Sequence, residues 1–133
     1  MTKQYLLLGL ATLLLAGCAS AGPAQEVRLE TNAMTFNTNQ IEVKAGRPVK
    51  LDLVNTDSVL HDFAIQKIDV KVKAAGHDDH AHADTTDLHV SASAGKTGTV
   101  EFTPEAAGTY TYYCTVAGHR DAGMEGQLVV KAS

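Results

Sequence analysis

Cysteine is scarce in this chain: Cys18 and Cys114 are the only two in 133 residues. Cys18 closes an N-terminal leader, so one thiol is left for the folded part. A single thiol makes no intramolecular disulfide. Positive charge is sparse too, and no block of Lys and Arg occurs, which argues against nucleic acid as a partner. With Lys3 of the leader left out, 10 basic side chains face 15 acidic ones, a net charge of −5 with His neutral. A moderate acidic excess suits steering toward a basic protein partner. No apolar run is long enough for a membrane span: Tyr5 to Leu15 falls well short of the roughly 20 residues a helix needs. No internal repeat is visible, and no amphipathic helix of ordinary length follows the leader.

What is present begins with that leader. Lys3 precedes the mostly apolar Tyr5–Leu15, and Leu15-Ala16-Gly17-Cys18 ends the segment. This fits a secretory signal. The ending resembles a bacterial lipobox, in which Cys18 becomes the lipidated first residue of the mature protein; the alternative is an ordinary signal cut nearby. The chain then divides into a signal peptide (1–17), a short tether (18–24) and one domain (25–133). Removing the seventeen leader residues from 133 leaves 116, enough for one core. The expected location is the periplasmic or extracellular face of a bacterial membrane, held by the lipid on Cys18.

After the tether, apolar and polar residues alternate at period two, the signal of half-buried strands. Val49, Leu51 and Leu53 alternate with Lys50 and Asp52; Val100 and Phe102 flank Glu101; Tyr110, Tyr112 and Cys114 share a parity. Met34 and Phe36 flank Thr35, which makes Met34 a core candidate, and His89 falls out of phase with Leu88 and Val90, which places it outside. Turn residues separate the runs: Asn37-Thr38-Asn39, Ala45-Gly46, Asn55-Thr56-Asp57, Ala94-Gly95, Thr103-Pro104, Ala107-Gly108. Seven to nine short strands of this kind predict an all-β, Greek-key β-sandwich. Residues 74–86 break the pattern with a polar His/Asp-rich stretch, expected to be a long surface loop.

The chemistry concentrates near the C-terminus. Cys114, His119 and Met124 are each separated by four residues. A thiolate and an imidazole are strong ligands and a thioether is a weak one. A second imidazole would complete a His₂Cys site with an axial Met, the donor set of a blue-copper electron-transfer centre. His61, in phase with Phe63 and Ile65, is the candidate. Taken singly, each residue has an ordinary reading: core His, loop His, gap-filling Met. Taken together they point to copper.

The stretch Gly108 to Met124, followed by Glu125-Gly126-Gln127-Leu128-Val129-Val130, resembles the C-terminal signature of the cupredoxins, the family of plastocyanins, azurins and auracyanins. The resemblance covers residues 25 to 133. It implies a Greek-key sandwich of about eight strands with one type 1 copper, His61, Cys114 and His119 as equatorial ligands and Met124 as the axial one. The Cys–His gap of four is like azurins, and the His–Met gap of four is like plastocyanins. Many members have Asn after the first His, where this chain has Asp62. The Asn braces the ligand loop, and Asp62 can do so by accepting from the N–H or hydroxyl of Thr115; otherwise it is solvated. Tyr110 looks like the family's tyrosine corner. Tyr113 should face outward, as an electron port or as an ordinary strand aromatic. The small residues around His119, Ala117 among them, would admit a partner close to the metal, with Arg120 and Asp121 as a polar rim.

His77, His80 and His82 lie among Asp78, Asp79 and Asp84 at spacings that chelate copper or zinc. They form either a second, exchangeable metal site or an incidental solvated loop. The leading expectation is a monomeric, membrane-tethered carrier of single electrons, not an enzyme, with a cytochrome or a copper oxidoreductase as redox partner. The alternative is a copper-binding and trafficking protein that uses the His-rich loop. Copper enzymes of the family are disfavoured: they need further domains and His clusters, or a second Cys in the ligand loop, and neither is present.

Overall fold

The computed structural model describes residues 22–76 and 86–133, with backbone alone at Ala75 and Gly76. Cys18, His77, His80 and His82 lie outside the described residues, as do the leader and most of the tether. Ten strands follow in order: β1 (Gln25–Asn32), β2 (Thr35–Phe36), β3 (Gln40–Lys44), β4 (Val49–Asn55), β5 (His61–Ile65), β6 (Val70–Gly76), β7 (Leu88–Ala92), β8 (Thr97–Pro104), β9 (Gly108–Tyr113) and β10 (Glu125–Lys131). They form two five-stranded sheets, ordered β2-β1-β4-β8-β6 and β3-β10-β9-β5-β7. Pairing is antiparallel except for β1 with β4 and β3 with β10. The expected all-β sandwich is what forms. The strand count exceeds eight partly because β2 is a two-residue hairpin arm.

Alternation explains the core. Along β4 every second residue, from Val49 to Asn55, is buried, and β3 and β8 repeat the pattern. Leu29, Leu51, Leu53, Val100 and Phe102 from one sheet meet Phe63, Ile65, Leu88, Val90, Tyr112 and Leu128 from the other. Tyr112 is fully buried, stacked on Phe63 and edge-on to Phe36, and its hydroxyl donates to the Thr38 carbonyl at 2.7 Å. Burial pushes its phenol up to about 12. The Tyr110 hydroxyl reaches back to the Ala106 carbonyl at 3.2 Å, the contact of a tyrosine corner. Gly98 permits a close approach of the two sheets: a Cβ there would lie 2.0 Å from the Ser91 carbonyl oxygen.

Three details differ from the sequence-based expectations. Met34 is 44% exposed. It sits with Ala33 at the tip of the β1–β2 hairpin, where both residues take positive φ (50° and 59°), as a two-residue hairpin turn demands. The strand begins only at Thr35, so the parity shared by Met34 and Phe36 is lost. Strand β6 runs on through Ala74–Gly76, taking in the first part of the segment expected as a loop; its register with β8 shifts between Val72 and Ala74, and Val72 is exposed on this edge strand. His89 is not outside: its side chain is 9% exposed. All five residues of β5 are buried, so the outer face of this sheet is covered where His89 projects.

Candidate metal centre

Cys114 follows β9 directly, and Met124 precedes β10, so two strands of one sheet clamp the connecting loop. Its backbone is pinned across its own ends: Cys114 N–H donates to the Met124 carbonyl at 3.1 Å, and Met124 N–H donates to the His119 carbonyl at 3.0 Å. His119 N–H donates to the Val116 carbonyl at 3.0 Å. Gly118 and Gly123 supply the left-handed turns (φ 82° and 99°) that fold the loop onto itself. His61 opens β5, which lies beside β9 in the same sheet.

The structure brings the predicted ligands together. His61 Nδ1 lies 4.0 Å and His119 Nδ1 lies 3.5 Å from Cys114 Sγ. The three ligand atoms fall within 4.8 Å of one another. His61 and Met124 are fully buried, Cys114 is 1% exposed and His119 9%. The centre is therefore enclosed, with His119 at its rim. Burial pushes the Cys114 thiol up to about 12, and the nearby Asp62 carboxylate adds to this. Metal binding at that sulfur displaces a proton. Burial, with the neighbouring His61, also holds the His119 imidazole below its ordinary value and so favours the neutral, ligating ring. Two imidazole nitrogens, one sulfur that becomes thiolate and a buried thioether are a donor set for copper.

The supports lie one step out. Thr115 donates its N–H to Asp62 Oδ1 at 2.6 Å and its hydroxyl to Asp62 Oδ2. His89 Nε2 donates to Asp62 Oδ2 at 3.3 Å. His61 Nε2 donates to Asp57 Oδ2 at 2.9 Å. Asn55, buried at the end of β4, ties the intervening turn: its amide donates to the Val59 and Ala92 carbonyls, both at 2.7 Å, and its Oδ1 accepts from Asp57 N–H at 2.9 Å. Sequence reasoning gave Asp57, Asn55 and His89 no part in supporting these ligands. The Asn55-Thr56-Asp57 turn signal was visible, and Asp57 stands four residues before His61. Tyr113 is half-buried, with the Arg120 guanidinium 4.2 Å above its ring and Arg120 tied to Glu125 at 3.1 Å.

An all-β sandwich with a buried His₂Cys cluster and an adjoining Met is the arrangement of a type 1 copper site, and it defines a cupredoxin. Residues 23–131 match the family of copper binding proteins of the plastocyanin/azurin type, and the chain belongs to that family. It is similar to auracyanin-B of Chloroflexus aurantiacus, 33% identical over 81% of this chain and 53% of that protein. It is also similar to the copper-resistant cuproprotein CopI of Rubrivivax gelatinosus, 29% identical over 76% of this chain and 62% of that protein. The chain thus spans between half and two thirds of the length of these relatives. Among solved structures, auracyanin B superposes with a TM-score of 0.64 at 28% identity, covering 82% of this chain and 90% of that one. Dithionite-reduced auracyanin from Roseiflexus castenholzii gives 0.65 at 22% identity over 83% of this chain and 99% of that one, a likeness of fold alone.

Proposed function

We propose that this protein carries single electrons between redox proteins. Bound copper would supply the one-electron Cu(II)/Cu(I) couple. The observation that carries this reading is the enclosed His61–Cys114–His119 cluster beside a fully buried Met124. Its backbone is already pinned by hydrogen bonds, so the ligands need little rearrangement between oxidation states. The described residues leave His119 as the ligand nearest solvent, bordered by exposed Ala117, Gly118, Ala122 and Gly123. Small apolar neighbours suit close contact with a cytochrome or copper oxidoreductase. The Leu15-Ala16-Gly17-Cys18 ending supports export and a lipid tether at Cys18, which would keep the carrier at a membrane surface. Fatty-acid labelling that is lost in Cys18→Ser tests the tether.

A second reading is copper handling. The likeness to CopI and the His77, His80, His82 segment in the sequence support it. One experiment separates the two. The protein expressed from the full chain is loaded with Cu²⁺ and its visible spectrum and reversible reduction are recorded. An intense blue absorption that bleaches and returns over repeated one-electron cycles supports the carrier. A colourless protein that hands copper to an acceptor chelator supports copper handling.

A further inference from the structure

We propose that Asp57 is a positioning residue for the metal centre, holding the His61 ring with Nδ1 toward Cys114 and strengthening that nitrogen as a donor. This deepens the electron-carrier reading and rests on it for its redox consequence. A carboxylate only accepts, so the 2.9 Å contact places a proton on His61 Nε2. In the neutral ring Nδ1 then carries the lone pair, and Nδ1 is the atom 4.0 Å from Cys114 Sγ. The His61 side chain is fully buried and that of Asp57 is 21% exposed, so the contact spans the wall of the site.

Asp57 is itself held in place. Its own N–H donates to Asn55 Oδ1, and Asn55 accepts from Thr31 Oγ1 at 3.1 Å on β1. A continuous line runs from Thr31 on β1 through Asn55, Asp57 and the imidazole to the ligand cluster. A charged acceptor forms a stronger hydrogen bond than a neutral one and raises the basicity of the ring. A more basic ligand favours the more highly charged metal, so Asp57 would stabilise Cu(II) over Cu(I) and lower the reduction potential.

Asp57→Asn and Asp57→Ala, made in the full-chain protein, test this. Asn keeps the size and one acceptor oxygen but removes the charge. The expected result is a loss of about 10–100-fold in Cu(II) affinity for Asp57→Ala, a smaller loss for Cu(I), and a higher reduction potential in both variants. In the metal-free proteins, proton–nitrogen NMR should show a His61 Nε2–H protected from solvent exchange in the wild type and in Asp57→Asn, and lost in Asp57→Ala. Unchanged potentials and Cu(II) affinities in both variants, even with lowered melting temperatures, would reduce Asp57 to a structural residue and overturn the proposal. A persistent, protected Nε2–H in Asp57→Ala would overturn it as well. A wild-type protein without blue absorption would instead sink the carrier reading, and the NMR arm would still decide the role of Asp57.

Discussion

Asp62 takes both polar hydrogens of Thr115, across 53 residues of sequence: the N–H at 2.6 Å and the hydroxyl on the other oxygen. His89, on the neighbouring strand, adds a third donor. Burial pushes the Asp62 carboxyl up, but the bonds from His89 and Thr115 outweigh it and hold the group below its ordinary value. The contact fixes the residue after Cys114 to the residue after His61, so it sets the distance between two ligands. Asp62→Ala would strand three donors, and each buried donor left unpaired costs about 1–3 kcal/mol. We expect at least that loss in denaturant unfolding of the metal-free protein. Asp62→Asn, which keeps an acceptor for the Thr115 N–H, should lose less.

Gly98→Ala should be more damaging than its size suggests. The new Cβ would meet the Ser91 carbonyl oxygen at 2.0 Å and the Val90 side chain at 3.0 Å. A backbone oxygen cannot swing aside, so the sheets must part locally. Overpacking of this kind costs about 1–3 kcal/mol or more. Ser91 neighbours Ala92, which pairs with His61. The strain therefore reaches the metal centre, and we expect weaker copper binding together with a lower denaturation midpoint.

Much of this was legible in the sequence because strands and loops announce themselves locally. Period-two alternation in β4 and β8 marks their buried faces, and the order of Cys114, His119 and Met124 lies within one loop. His61 could be added because its parity with Phe63 and Ile65 points it inward. What was hidden depends on contacts between distant elements. Met34 fails as a core residue because the hairpin turn, not the strand, claims it. His89 obeys its parity and does face the outer side of its sheet, but Asp62 and its surroundings bury that side locally. Asp57 looked like one of many turn residues until the fold set it against His61.

Asp87 should give the protein part of its acid sensitivity. Its carboxylate accepts from Ile68 N–H at 3.0 Å and from Lys67 at 3.3 Å, and these hold it below the ordinary value of 3.8, the N–H first. A lowered folded value means that the unfolded chain binds more protons in the interval between the two. The stabilisation is then fully present above about pH 4 and is lost as pH falls through the depressed value. The melting temperatures of wild type and Asp87→Asn should therefore converge as pH is lowered from about 5 to about 2. A gap that stays constant over that range would mean that the charge of Asp87 contributes nothing.

Met124 offers the cleanest separation of packing from redox tuning. It is fully buried, and its backbone, not its side chain, makes the hydrogen bonds to Cys114 and His119. Met124→Leu keeps the volume and those bonds, so it should cost less than about 1.5 kcal/mol of stability. It removes the thioether sulfur, the weak axial donor of the type 1 arrangement. Loss of electron donation disfavours the more highly charged Cu(II), so the reduction potential should rise while the blue absorption, which reports the Cys114 sulfur, persists. Voltammetry beside thermal denaturation reads both quantities on one sample. A potential equal to that of the wild type would show that the sulfur stands apart from the copper and that Met124 serves only to fill the base of the site.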